Sequence, residues 1–169
     1  MAHRWPFVGR AAELARIDSL IMSGVGALIL GEPGIGKTAL ARRAEERAGQ
    51  TMPVGRVIGH AVSNGAPYEA FAGVLTAADT SVLHPIEVAR RVAEAFVRPA
   101  GSKVLFVVDD AQLLDRRSAQ VLLQLAADGN ATVLATARDL TLPAGVERLW
   151  CDGWCERLEL DALTDGEVS

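Results

Sequence analysis

The sequence predicts an α/β protein built on a parallel sheet, and three observations carry that prediction. Short apolar runs without polar alternation, "ALIL" at 27–30 and "KVLFVV" at 103–108, read as strands covered on both faces. Such runs alternate with segments of helical periodicity along the chain. A glycine-rich loop, 31–36, joins one of the strands directly to a segment rich in helix formers.

Taken in order, Arg10 to Met22 places Leu14, Ile17, Leu20 and Ile21 on one helical face, and "SGVG" ends it. Ala27 to Leu30 is the first strand, Gly31 to Gly36 the loop, and Lys37 to Ala48 a helix stopped by Gly49. Val54 to Ala61 is the second strand candidate. "SNGAP" is a loop, with Pro67 suited to open a helix running to Ala77. His84 to Arg98 carries Ile86, Val88, Ala89, Val92, Ala93 and Phe96 at helical spacing, and "RPAGS" ends it. Val104 to Val108 is a β-branched third strand, Ser118 to Ala127 a helix, Thr132 to Thr136 a fourth strand and Arg157 to Leu160 a fifth. No internal repeat or low-complexity segment interrupts this order.

A chain of 169 residues is one domain by length, and at that size about 70% of the unfolded surface is buried. A core of small aliphatic side chains therefore suffices without disulfide or metal. The net charge of −4, with the arginine pairs 42–43, 90–91 and 116–117 scattered, argues against a nucleic-acid surface. The apolar runs are far shorter than the roughly 20 residues that cross a bilayer. "MAHRWPF" lacks the apolar stretch of a signal peptide. The expectation is a cytoplasmic protein without membrane contact.

Cys151 and Cys155 form an isolated C-x3-C with no histidine beside it, which makes neither a zinc site nor a thioredoxin-type motif. A structural role is the first reading and a redox role the other. His60 and His84 are single histidines without a paired ligand and read as structural.

Residues 31–38, "GEPGIGKT", fit G-x-x-x-x-G-K-[ST] in the strand-loop-helix context that this motif needs. Gly31, Gly34 and Gly36 let backbone N–H groups approach phosphate oxygens where a side chain would clash. The following helix points its positive end at the same anion. Gly31, Glu32, Pro33, Gly34, Ile35, Gly36, Lys37, Thr38 and Ala39 are thus the candidate nucleotide-binding residues. Lys37 supplies a point charge for the β and γ phosphates, and the Thr38 hydroxyl a ligand for Mg²⁺. Lys37 and Lys103 are the only lysines among 17 basic residues, so a lysine at the required position is not drawn from a lysine-rich background. The competing reading is a plain glycine turn.

"VLFVVDD", 104–110, places two carboxylates where a buried parallel strand ends, the sheet edge at which ligands bind. Asp109 is the candidate Mg²⁺ partner beside Thr38, and Asp110 the candidate that polarises an attacking water. An acidic turn is the alternative. A third strand end, "TVLATAR", brings Thr136 and Arg138, and a guanidinium there would stabilise charge on a transferred phosphoryl group. A solvated strand end is the other reading. The candidate catalytic set is Lys37, Asp110 and Arg138, and the metal set Thr38 and Asp109.

With these elements in order, the chain resembles the nucleotide-binding domain of AAA+ and STAND-class P-loop ATPases. More closely, it resembles the N-terminal ATPase module of large actinobacterial LuxR-type transcriptional regulators. The residues behind this are "FVGRAAEL" (7–14), "GEPGIGKTAL" (31–40), "PYEAFAGVL" (67–75), "VLFVVDDAQLLD" (104–115), "VLATAR" (133–138) and "LELDALTDGEV" (158–168). The resemblance implies a three-layer sandwich around a five-stranded parallel sheet of order 5-1-4-3-2, with the first strand central. It implies that Phe7, Val8, Gly9 and Arg10 pack near an adenine, whereas the residues alone also allow Phe7 and Val8 as a hydrophobic staple. It makes Arg138 equivalent to the first sensor residue, with Thr136 its neighbour.

The organisation implied is an N-terminal segment and helix (1–24), a core (25–160) and the start of a helical lid (161–169). Lid arginine, winged helix, helical repeats and helix-turn-helix reader would follow, and these segments and a second copy of the chain are the expected protein partners. The resemblance places DNA contact there and not in residues 1–169. Asp109-Asp110 replaces the Asp-Glu common in AAA+ motors, and a shorter Asp110 predicts slow hydrolysis.

The function expected is an ATP-binding, slowly hydrolysing, Mg²⁺-dependent switch domain. The alternative is a module that holds ATP or ADP and controls protein contacts without turnover. A phosphotransferase is disfavoured because no arginine-rich acceptor lid is visible, and a GTPase because no N-K-x-D segment exists.

Overall fold

Gly26–Leu30 (β1) is buried along its whole length, and the reason lies in its neighbours on either side. It pairs in parallel with Ala131–Ala137 (β4) on one edge and with Cys155–Glu159 (β5) on the other. Val104–Asp109 (β3) lies beyond β4, and Val54–Ile58 (β2) closes the far edge. The order is β2-β3-β4-β1-β5, all parallel. Read from the other edge this is the predicted 5-1-4-3-2, but β4 rather than β1 occupies the middle position. The structure, a computed structural model, describes residues 9–59, 67–75, 83–138 and 141–162, with the side chains of 97–100 left aside.

Strand alternation sorts the side chains into two cores. Ala27 and Ile29 of β1, Leu105 and Val107 of β3 and Leu134 of β4 face Ala11–Met22 (α1) and Lys37–Ala48 (α2). These helices answer with Leu14, Ile17, Ile21, Leu40, Ala41 and Ala44. Leu28, Phe106, Val108, Val133 and Ala135 face the opposite layer. That layer is Pro85–Ala100 (α3), Arg116–Ala127 (α4) and Ala144–Cys151 (α5). A sheet covered on both faces explains why β1, β3 and β4 are apolar at nearly every position. Each fully buried Leu or Ile contributes about 1.5–3 kcal/mol.

Three local expectations are corrected. No α-helix runs from Pro67. Residues 69–71 form a single 3₁₀ turn, because Tyr68 adopts a left-handed conformation (φ 61°) that a helix cannot contain. The turn is held from outside: Tyr68 is fully buried, its hydroxyl donates to Leu83 O at 2.6 Å and its N–H to Asp115 Oδ1 at 3.2 Å. Second, Ala144–Cys151 forms α5, a helix that the sequence periodicity does not predict. Third, the helix expected to stop at Arg98 continues through Pro99 to Ala100.

The second strand pairs only to Ile58, after which Gly59 N donates to Asp109 O at 2.9 Å; residues 60 and 61 of the expected strand, His60 included, lie outside the described residues. The last strand is displaced toward Cys155. Among the described residues no helix is long and apolar enough to cross a membrane.

Candidate functional site

In a parallel sheet every strand ends at the same edge, so the residues following β1, β3 and β4 meet. The loop after β1 is shaped by its glycines. Gly34 and Gly36 hold φ of 79° and 102°, which side-chain-bearing residues rarely adopt. Gly31 is selected by crowding instead, since a Cβ there would come within 2.9 Å of Leu160 O. Gly36 then starts α2 with no side-chain cap, which leaves first-turn N–H groups at the positive helix end to be satisfied by another acceptor.

Lys37 is 7% exposed, and its Nζ donates to Gly31 O at 2.8 Å and Glu32 O at 2.9 Å, so the ammonium is folded back over the loop. Burial lowers its pKa from the ordinary lysine value, and the Arg138 charge adds to this. The carboxylates of Asp110, Asp109 and Glu32 pull the other way. Glu32, Pro33, Gly34 and Ala39 are exposed on the rim, and Ile35 and Thr38 are half-buried.

Asp109 is the point of convergence. Its Oδ1 accepts from Thr38 Oγ1 at 2.9 Å and from Thr136 Oγ1 at 2.6 Å. Thr136 also accepts from Asp110 N at 3.1 Å, so one buried hydroxyl serves both acidic residues. Asp110 itself is left-handed (φ 53°), one of two such non-glycine residues among those described. Strained backbone of this kind persists only where surrounding contacts hold it. The contacts are visible: Asp110 Oδ1 accepts from Gln112 Nε2 at 3.0 Å and Arg138 Nε at 3.3 Å, while Gln112 Oε1 accepts from Arg138 N at 3.3 Å.

The structure therefore brings Lys37, Thr38, Asp109, Asp110 and Arg138 together with the loop 31–36. Two contributions do not follow from the sequence. Gln112 lies inside "VVDDAQLLD" without a motif of its own, and the bridging role of Thr136 depends on β3–β4 register, which pairs Val108 with Ala135 and so sets Thr136 beside Asp109.

Arg10 is 7% exposed and structurally engaged. It donates to Asp161 O at 2.6 Å and Ile35 O at 3.5 Å and pairs with Glu13 at 2.9 Å, tying the loop to the chain after β5. Phe7 and Val8 lie outside the described residues. The two cysteines part company: Cys151 is exposed, and Cys155 is buried with Sγ toward Val133 O, its thiol pushed up to about 12 by burial.

The Thr38 hydroxyl and the Asp109 carboxylate are hard oxygen donors side by side, the chemistry that suits Mg²⁺. Among the described residues no cluster of three His, Cys, Asp or Glu could hold a metal unaided. A Mg²⁺ ion there would draw on few protein ligands, as this ion does when phosphate oxygens and waters supply the rest.

Residues 6–136 match the AAA ATPase domain family. Among solved structures the chain is similar to Drosophila ORC bound to GC-rich DNA and Cdc6, at 16% identity over 90% of this chain and 55% of that one, TM-score 0.62. It is similar to Drosophila ORC bound to DNA, at 17% identity over 89% of this chain and 91% of that one, TM-score 0.59. Similarity extends to the Thermotoga maritima RuvB Holliday junction branch migration motor, at 19% identity over 92% of this chain and 45% of that one, TM-score 0.54. At these identities the likeness is one of fold. The chain spans 59% and 55% of the chains in the two ORC complexes that contain Cdc6. No curated protein sequence matches it.

Proposed function

The chain belongs to the AAA ATPase domain family, and from that premise we propose that it is an ATP-binding, Mg²⁺-dependent switch domain with slow hydrolysis, serving a LuxR-type transcriptional regulator. The convergence of Thr38 and Thr136 on Asp109, beside Lys37, is the observation that carries this reading. Loop N–H groups from Gly31 to Ala39 cradle the phosphates, and Lys37 exchanges its two carbonyl partners for phosphate oxygens. Thr38 and Asp109 hold Mg²⁺, which when bound neutralises phosphate charge. Asp110 orients the attacking water and takes up its proton, and Arg138 steadies developing negative charge. Arg10 positions the loop through Ile35, and Val8 contacts the base.

Slow turnover follows from the pairing of Asp110. Its carboxylate is held by Gln112 and Arg138, and these contacts must loosen before it serves a water. The same observation favours the second reading, an ATP- or ADP-holding module with no useful turnover.

Titration with ATP, ADP and GTP, with and without Mg²⁺, tests the proposal. Adenine nucleotides bind, and Lys37→Ala weakens them at least about 100-fold, since charge-assisted bonds contribute about 1.5–3 kcal/mol each. Unchanged affinity would overturn the phosphate-loop assignment. Asp110→Asn keeps binding and removes phosphate release. If wild-type release does not exceed that of Lys37→Ala, the non-turnover reading replaces the enzymatic one. Retention of DNA by residues 1–169 at physiological salt would contradict the placement of the DNA reader in other segments.

A further inference from the structure

Arg10 is charged, buried and turned into the fold. Its carbonyl accepts from Leu14 N at 3.0 Å, which sets it at the start of α1, and its side chain is 8% exposed. A guanidinium that far out of water needs partners for its donors. Glu13 takes one terminal nitrogen at 2.9 Å. The other reaches two backbone carbonyls far apart in sequence, Asp161 O at 2.6 Å and Ile35 O at 3.5 Å. With both terminal nitrogens used in this way, the group is not presented to a base edge.

The segment that Arg10 reaches also meets the phosphate loop at other points. Leu160 N donates to Leu30 O at 2.8 Å, immediately before the loop begins. Leu160 O lies against Gly31, where a Cβ would come within 2.9 Å of it. Gly31 O in turn accepts from Lys37 Nζ at 2.8 Å. Residues 160 and 161 therefore touch the loop at its start through Gly31 and near its end through Ile35, with Arg10 as the clasp. A phosphate that draws Lys37 off Gly31 O changes the hold on the residue against which Leu160 packs.

We propose that Arg10 is a positioning residue of the nucleotide site that acts through the carbonyls of Ile35 and Asp161 rather than on the adenine, so that phosphate occupancy of the loop and the placement of residues 160 and 161 form one coupled equilibrium. This rests on the nucleotide-binding reading above. Linkage makes the coupling reciprocal: whatever tightens residues 160 and 161 on the loop tightens phosphate binding by the same factor. The phosphates are the part of the ligand that matters, since the clasp touches the loop itself.

The test uses the whole chain with ADP and with inorganic pyrophosphate, a probe that has no base, read by calorimetry and by amide hydrogen exchange. Wild type binds both, and either ligand slows exchange of the Leu160 amide at least about threefold. Arg10→Ala weakens ADP and pyrophosphate by the same factor, about tenfold, and leaves Leu160 exchange unresponsive to ligand. Arg10→Lys keeps the charge beside Glu13 with a single nitrogen for the carbonyls, and recovers part of both effects. The Leu105 amide, which donates to Pro53 O at 2.9 Å, stays protected throughout. If Arg10→Ala loses that protection as well, the decision passes to Arg10→Lys, in which the two ligands must again weaken in equal measure.

A variant that loses ADP but keeps pyrophosphate would place Arg10 on the base and overturn the proposal. Unchanged affinity for both ligands in Arg10→Ala would overturn it too. So would ligand binding to wild type with no change at Leu160. A wild type that binds neither ADP nor pyrophosphate overturns the nucleotide-binding reading itself and the proposal with it, an outcome distinct from the other three.

Discussion

The Thr136 hydroxyl gives its hydrogen to Asp109 and receives the Asp110 N–H, so its removal leaves the Asp110 N–H without its partner and takes one of the two donors from Asp109 Oδ1. Leaving a buried polar group unpaired costs about 1–3 kcal/mol. At this chain length, that lowers the melting temperature by about 2–4 °C per kcal/mol. Thr136→Val is therefore expected to melt several degrees below wild type in a calorimetric scan, and Thr136→Ser close to it. Lys37 gives a pH dependence. Its free-state pKa is lowered by burial, and a bound phosphate raises it again, so ADP binding takes up a proton at alkaline pH. Affinity is full below the free-state pKa and declines as pH rises through it; titrations of ADP in a pH series check the direction. Thiol counting separates the cysteines: one thiol per folded chain reacts with a disulfide reagent, Cys151, and the second only on unfolding. At this scale Lys37, Thr38 and Asp109 were legible because their chemistry is local to a loop or a strand end. Thr136 was legible as a strand-end polar residue, but its bridging of Asp109 and Asp110 and the part played by Gln112 were not, because they arise from contacts between segments distant in sequence.

Among the elements, α5 was invisible for a physical reason. Pro143 and Gly145 resemble loop residues, and the second of them sits in the first turn only because α5 packs against α4. A Cβ at Gly145 would meet the Ala119 carbonyl carbon and oxygen at 2.5 Å. Gly145→Ala therefore lowers stability in denaturant titration, although alanine is favoured over glycine in a helix by about 1 kcal/mol. The expected helix after Pro67 failed for a related reason. Asp115, the N-cap of α4, accepts from Arg117 N, Ser118 N and Ser118 Oγ and also from Tyr68 N, which secures the left-handed turn. Loss of a cap alone costs about 0.5–2 kcal/mol. Asp115→Ala is expected near the top of that range, with Tyr68 fluorescence reporting a loosened turn. Periodicity read the helices and strands whose partners are the sheet itself. It missed those whose conformation is imposed by one distant side chain or one close backbone approach.

At the scale of the molecule the class of fold and the strand count were legible from the residues, since parallel strands buried on both faces leave a strong apolar signature, whereas the pairing order followed only from the family resemblance. The position of β1 within that order has a consequence for synthesis. Both neighbours of β1 lie more than a hundred residues further along the chain, and Gly31 is shaped against Leu160 at its end. At about 5–20 residues per second, the strand "GALIL" leaves the ribosome some 5–20 s before β4 can shield it, and longer before β5 does. The first strand made is thus an adhesive surface waiting for the last, and nascent chains halted before Ala131 are natural clients of chaperones.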